Sequence, residues 1–479
     1  MKHVIHAEWT KFRTVRGWVV GMVVAIPLTV LIGLLGPAGD SFHCAGPNGQ
    51  KCAGQSPPTG PDGTPVFDSF YLVHRTLTGD GAITARVAPL TGAEPWAKAG
   101  LIVKQSTRAG SAYAAVMTTG GHGVRMQYDY TEDIAGPVNA RWLRLSRKGN
   151  TLTGAVSADR GHWTTVGTAQ LDLGSRVEAG MFVSSPQHVE RTQSFGDITE
   201  DGYPTSATTT FDEVTTDGEW RTGWHGTAVG GASEVVTTGM TEQDGRFRIT
   251  GHGDITPIVA AGLGRNVENA LVGVFAGLIA VLVVATLFAT SEHRRGLIRT
   301  SFAANPRRGQ LLAAKAIVIG GVSFVVGVVS AALSIPLVAE LEVAKGFFLF
   351  PTSTGTEIRV IVGTGLLFAV AAVLAVAAGS LLRRGAGTVT AMTVGLVLPY
   401  LLAVASVLPA GPADLLTSVT PAAGFAIQQT LREYPQVSAS YTPADGYFPL
   451  SQAGGFAVLC AYAVLATVLA TFALRRRDA

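Results

Sequence analysis

VENALVGVFAGLIAVLVVATLFAT, residues 267–290, runs directly into SEHRRGLIRTSFAANPRRGQLLAAK, residues 291–315. The first stretch has one ionisable residue, Glu268, near its start, whereas the second packs six Lys and Arg residues and His293 ahead of the next apolar run. Crossing a bilayer core takes about twenty apolar residues of helix. A helix is also the open-chain form that satisfies every backbone N–H and C=O within the segment. Working outward, five more runs meet this requirement, at 17–36, 311–338, 358–382, 387–409 and 453–474, so six transmembrane helices are expected.

The 479 residues are 47% hydrophobic and 14% charged, with a positive mean hydropathy. That balance points to a membrane protein, and a net charge of +3 argues against a nucleic-acid partner. Basic residues gather at the ends of alternate apolar runs: Lys2, Lys11, Arg13 and Arg16 before the first, 291–315 after the second, Arg383 and Arg384 after the fourth, and Arg475, Arg476 and Arg477 after the last. The opposite short loops carry little beyond Lys345, Arg359 and Arg432. The positive-inside rule therefore places both termini and 291–315 in the cytoplasm, and residues 37–265 outside a plasma membrane. The first run is long for the apolar core of a signal peptide, and GPAGD after it is a weak cleavage site, so it is expected to remain as a span.

Residues 37–265 differ in composition, being rich in Gly, Thr, Ser and Asp with no spanning run. Cys44 and Cys52, in a Gly/Pro-rich linker over 37–65, would face an oxidising space and are expected to close a small disulfide loop; two free thiols are the alternative. Cys460 lies inside the last run. Strand signals follow. AITARVAPL sets Ile83, Ala85 and Val87 against Thr84 and Arg86, and GVRMQYDY sets Val124, Met126, Tyr128 and Tyr130 against Arg125, Gln127 and Asp129. RWLRLSRKGNTLTGAVSAD predicts two strands around Gly149-Asn150. Many short strands with regular turns imply an all-β sandwich.

DSFYLVHRTLTGDGAITARVAPL (68–90) and PWAKAGLIVKQSTRAGSAYAAVMTTGGHGVRMQY (95–128) resemble the concanavalin-like, laminin-G-like jelly roll of secreted carbohydrate-binding modules. The likeness runs from Val66 to about Ile198. A Gly-Asp-Ile motif that usually precedes the Asp-x-Phe segment in that family comes late here, in DGRFRITGHGDITP at 244–257. Residues 211–257 therefore either complete one sandwich over 66–257 or form a second small module.

Sandwich glycosidases need two carboxylates on one strand face, and no Glu-x-Asp-x-x-Glu run occurs; Glu132-Asp133 and Glu200-Asp201 are read as solvated turns. Histidines 122, 162, 188, 225 and 252 lack metal-ligand spacing, so no metal is expected. Trp96, His122, Arg125 and Tyr128 are candidates for a glycan or ligand groove, because aromatic faces and a planar cation suit sugar or headgroup recognition. The alternative is that the aromatic residues fill the core.

Apart from Glu268 and Glu292 near the two ends of the second run, few ionisable residues fall in the spans, which argues against an ion-driven carrier. No Gly-Lys-Ser/Thr phosphate loop occurs. Ser291-Glu292, Gly296, Ile298-Arg299-Thr300, Pro306-Arg307-Arg308 and Ala313-Ala314-Lys315 closely resemble the cytoplasmic loop of type-2 ABC exporter permeases from high-GC Gram-positive bacteria. HAEWTKFRTVRGW (6–18) is similar to the short N-terminal helix of the same families, and TPAAGFAIQQTL (420–431) to their loop before the last span.

The resemblance implies a transporter subunit rather than an enzyme, with a cytoplasmic ABC ATPase as partner. ATP and Mg would sit on that partner and no cofactor on this chain. It implies a dimer around one pathway and a coupling helix at about Arg294–Ala304, ended by Pro306. Glu292, Arg294, Arg295, Arg299, Arg307 and Arg308 are the coupling residues it points to, with Glu292 favoured by the positive end of the helix dipole. Independently, Ile5, Trp9 and Phe12 recur at helical spacing beside Lys11, Arg13 and Arg16, so 1–16 is expected as an amphipathic helix against membrane lipid. The long insertion between the first two spans departs from the family pattern. It leaves a membrane-anchored sensor binding glycan or cell-wall material as the rival expectation.

Overall fold

Apolar runs of this length leave no alternative to intrahelical hydrogen bonding. The computed structural model forms six helices long and apolar enough to cross a membrane: Arg16–Gly36, Asn269–Ser291, Gly309–Ala344, Thr354–Leu382, Gly385–Val404 and Gln452–Leu474. It describes residues 1–39, 57–92, 94–137, 140–194, 197–231, 235–259, 264–294, 308–437 and 441–476, with the side chains of 37–39, 193–194, 197–200, 292–294, 308 and 475–476 left aside.

In chain order the helices are α1 (Lys2–Thr14), α2 (Arg16–Gly39), α3 (Val274–Arg294), α4 (Arg308–Ala344), α5 (Thr354–Leu382), α6 (Gly385–Met392), α7 (Leu398–Val404), α8 (Ala410–Val419) and α9 (Gln452–Arg476). A π-helical turn, Thr393–Val397, joins α6 to α7 into one span. The fifth run was expected to continue to 409, but the helix stops at Val404, where Ser406 takes φ +52 and Pro409 cannot supply a backbone donor. Ser353 caps α5 by accepting from the Thr356 amide, satisfying one of the free donors of its first turn.

Between α2 and α3 in sequence lie the strands β1 (Val66–Asp68), β2 (Phe70–Val87), β3 (Lys98–Lys104), β4 (Tyr113–Thr119), β5 (Val124–Tyr128), β6 (Glu132–Ala135), β7 (Trp142–Lys148), β8 (Thr151–Ser157), β9 (Thr164–Gln170), β10 (Arg176–Ser184), β11 (His188–Ser194), β12 (Asp197–Tyr203), β13 (Ala207–Trp220), β14 (His225–Val229), β15 (Gly239–Gln243), β16 (Arg246–Gly251) and β17 (Ile255–Pro257). Thirteen of them form one hydrogen-bonded sheet that doubles over, because β2 belongs to both layers. Its first half pairs with β10 and β14, its second half with β13 and β7. The bend falls near Gly79, at φ +70, and Gly81, where a Cβ would lie 2.5 Å from the Asp217 carbonyl oxygen.

Between the layers sits one apolar core. Ile83, Ala85, Val87, Val124, Met126, Leu143, Leu145, Leu152 and Phe211 all enter it, as the alternation of the first two motifs predicts for the first five. Because β13, β14 and β16 join this same sheet, residues 207–251 complete one sandwich and do not form a second module. The strand of the second motif ends at Tyr128. Asp129 and Tyr130 are left-handed, at φ +46 and +68, and the turn buries Tyr130 in a second cluster on the outer face of the β2–β10–β3–β4 layer.

The helices share a core of their own, in which Val281, Phe288, Ile319, Leu367, Phe368, Phe425 and Leu459 are buried. The segment before the last helix bonds both to the helical region and to the sandwich. Glu268, at the start of the second apolar run, accepts hydrogen bonds from the Thr430 amide and hydroxyl and the Leu431 amide. The segment beginning there carries the fully buried Gln436, whose Nε2 donates to the Tyr130 carbonyl at 3.0 Å.

Candidate functional site

Two regions carry the residues singled out from sequence. The first is the end of the helical layer that brackets 291–315. On α1, Glu8 is buried along with Phe12, although it is that helix's sole acidic residue. Its Oε2 accepts from Lys315 Nζ on α4 at 3.0 Å and its Oε1 from Lys11 Nζ at 3.1 Å. Lys315 also lies 4.8 Å from the ring centroid of Phe288, near the end of α3. Phe12 and Trp18 meet the same ring edge-on at 6.2 and 5.1 Å. α1 therefore clamps the two ends of the basic segment together, Phe288 before it and Lys315 at its close.

The packing differs from a helix lying freely in an interface. Ile5 and Phe12 contact the helical core, while Trp9 stays exposed. Glu8 was not singled out from sequence; its place one turn before Phe12 and three residues after Ile5 was the available signal. Arg295, Arg299 and Arg307 lie outside the described residues. Glu292 and Arg294 end α3 and Arg308 begins α4, their side chains also outside the description. Cys44 and Cys52 lie outside it too.

The TPAAGFAIQQTL segment forms a 3-10 helix, Pro421–Gln428, begun by the Thr420 hydroxyl accepting from the Ala422 amide. It is wedged between α5 and α9. Arg359 Nη1 and Nη2 donate to the carbonyls of Ile427 and Gln429 at 2.9 and 2.8 Å, and Gln428 Nε2 donates to the buried Thr364 hydroxyl at 2.9 Å. A Cβ on Gly455 of α9 would lie 2.3 Å from the Ala423 carbonyl oxygen, so glycine is what allows this close approach.

The second region is on the sandwich. Trp96 stacks on His122 with ring centroids 3.8 Å apart, and the Arg125 guanidinium lies 5.3 Å from the Trp96 ring. Arg125 is fixed there by Asp133 at 2.9 Å and the His122 carbonyl at 3.2 Å. Trp96 is only 6% exposed. Burial, with Arg125 beside it, holds the His122 imidazole below its ordinary value. Tyr128 does not join this group. It follows Val124 and Met126 onto the face packed against the sandwich core, opposite Arg125.

Asp133 corrects the expectation of a solvated Glu132-Asp133 turn: it stands on β6 with its side chain 4% exposed, accepting from Arg125 and Gln127. Among the described residues no group of three His, Cys, Asp or Glu side chains is placed to hold a metal.

No family model matches this chain, and no curated protein matches it. Among solved structures it is similar to a functionally unknown protein from Saccharomyces cerevisiae, at 19% identity over 34% of this chain and 76% of that one, with a TM-score of 0.19. It is also similar to scytalido-glutamic peptidase with a transition state analog inhibitor, at 9% identity over 40% of this chain and 100% of that one, TM-score 0.26. SCP-B, a member of the Eqolisin family of peptidases, matches at 12% identity with the same coverages and a TM-score of 0.24. At such TM-scores these likenesses carry no argument about what this chain does.

Proposed function

We propose that this chain is the membrane-spanning permease subunit of an ATP-driven exporter, powered by a separate cytoplasmic ABC ATPase that binds the ATP and Mg. The observation that carries the reading is the clamp of α1 on both ends of 291–315, through Glu8–Lys315 and the Phe12–Phe288–Trp18 cluster. A basic loop that served only to mark topology would need no buried ion pair at its end. A loop that must transmit force needs a rigid mount, and a charge pair on one side with an aromatic cluster on the other provides it.

In this reading the six apolar helices span the plasma membrane, both termini face the cytoplasm, and the sandwich, a concanavalin-like jelly roll, stands outside. Two copies enclose one pathway. Closure of the ATPase pair would pull on the segment around Glu292, Arg299, Arg307 and Arg308 and rock the spans as rigid bodies. The cargo suited to charge-poor spans is amphipathic or lipid-like. Anchoring alone would need one span, and six argue against a sensor whose working part is the sandwich.

The test is co-purification. The tagged chain is extracted from its native host in mild detergent and compared with Arg299→Glu/Arg307→Glu/Arg308→Glu. A soluble ATPase is expected with the unaltered chain and absent with the charge-reversed one. Recovery of wall or glycan material without any ATPase, across several mild conditions, contradicts the proposal.

A further inference from the structure

His74 on β2 sits between a carboxylate and a hydroxyl contributed by two other strands. Its Nδ1 is 2.6 Å from Glu178 Oε2 on β10, and its Nε2 is 3.1 Å from Thr227 Oγ1 on β14. A carboxylate at this distance accepts, so Nδ1 carries the imidazole proton and the Nε2 lone pair faces the Thr227 hydroxyl. The second oxygen of Glu178 accepts from Thr76 Oγ1 at 3.1 Å, which fixes the carboxylate's orientation. We infer that Thr227, His74 and Glu178 form an acyl-transfer site that hydrolyses an acyl ester.

The arrangement has the three roles nucleophilic catalysis requires: a hydroxyl nucleophile, a base in hydrogen-bond reach of it, and a group that orients the base. Cross-strand register builds it, since His74 pairs with His225 on one side and Gly180 on the other, while Thr76 pairs with Glu178. Access differs along the row. His74 is 9% exposed, the Glu178 side chain 24%, Thr227 is half-buried and His225 exposed. His225, two residues before Thr227 on the same strand face, has its ring centroid 6.3 Å from that of His74. The site would use its ring N–H as the donor to a carbonyl oxygen at Thr227. None of these residues belongs to the helical layer, so the inference stands apart from the exporter reading.

The step balances with water as the only co-reactant. Thr227 Oγ1 bonds to the ester carbonyl carbon as its proton passes to His74 Nε2 and the carbonyl electron pair moves onto oxygen. The pair returns, the carbon–alkoxy bond breaks, and Nε2 gives its proton to the departing alcohol. Water then loses a proton to Nε2 and attacks the acyl-threonine; carboxylic acid leaves, and Thr227 recovers its proton. Glu178 keeps its hydrogen bond to Nδ1 and acts as a positioning residue.

The full-length chain in detergent is incubated with p-nitrophenyl acetate, quenched in acid and mapped by peptide mass spectrometry. The acetyl group is expected on Thr227. Thr227→Val, which keeps the shape, should lower turnover by about 100-fold or more, the size of a general-base contribution, and Thr227→Ser should retain it. His74→Gln should all but abolish turnover and alter the shape of the residual pH–rate profile, whereas Glu178→Gln should lower kcat and leave KM in place. Thr227→Val with an unchanged thermal midpoint and unaltered turnover overturns the inference. So does absence of both turnover and acetyl-threonine from the unaltered chain, which would leave the three side chains as cross-strand bonding only.

Discussion

Lys104 and Lys315 are both lysines buried against one carboxylate, one in the sandwich and one in the helical layer, and they do different work. Lys104 Nζ donates to Asp68 at 2.7 Å, to the Ser111 carbonyl at 2.8 Å and to Tyr130 Oη at 3.0 Å, while Asp68 Oδ2 also accepts from the Gly110 amide and the Tyr130 hydroxyl. Both side chains are fully buried, and the partners come from the end of β1 and from the turns before β4 and after β5. Burial lowers the Lys104 ammonium from its ordinary value, and Asp68 opposes that shift. This network holds a fold together. Lys315 pairs with Glu8, 307 residues away in sequence, near the start of α4. A pair so placed joins separate elements, and losing it frees one element from another.

The largest effect should come from the fully buried network around Lys104. Asp68→Ala strands a buried ammonium, and breaking a buried pair from one side costs about 3–5 kcal/mol. The sandwich should lose its resistance to limited proteolysis while the helices persist. If Glu8→Ala proves equally damaging to the whole chain, the contrast between the two lysines fails. That variant should cost less, about 1.5–3 kcal/mol, the range of a hydrogen bond to a charged group, because the flexible Lys315 stem can carry its charge toward water at the helix end.

Crowding offers a sharper probe of the helical side. Gly455→Val should push α9 off the 3-10 helix and cost about 1–3 kcal/mol, as overpacking does. It is measurable as a lower midpoint for loss of the folded dimer or monomer in detergent. Fluorescence of Trp96 should report the smallest change. The folded value of His122 lies below its unfolded one, so its contribution is complete above the ordinary histidine range and is lost as pH falls through the folded value. The unfolding midpoint should therefore drop slightly more between about pH 7 and 5 in the unaltered chain than in His122→Phe.

Much of the architecture was legible because it obeys local periods. Six apolar runs appear as six helices, and Ile83, Ala85, Val87, Val124 and Met126 enter the core as their alternation predicts. Alternation reports a face, though, and not where a strand stops or what covers its second side. Tyr130 continues the pattern in sequence but sits in a left-handed turn, and Asp133 reads as solvated but is buried by Arg125 and Gln127. The same limit hid the long-range partners. Glu8 finds Lys315 across 307 residues, and His74 finds Glu178 and Thr227 across 104 and 153, distances at which spacing carries no signal.

In the proposed exporter α1 mounts the 291–315 segment so that a partner ATPase can move the spans. ATP hydrolysis in the purified, reconstituted complex measures that mount, comparing Glu8→Gln, Lys315→Met and the exchanged pair Glu8→Lys/Lys315→Glu. Both single variants should keep the ATPase bound but lose transport-coupled hydrolysis, and the exchanged pair should recover a substantial part of it. Hydrolysis and efflux at unaltered rates in all three would contradict that role of α1.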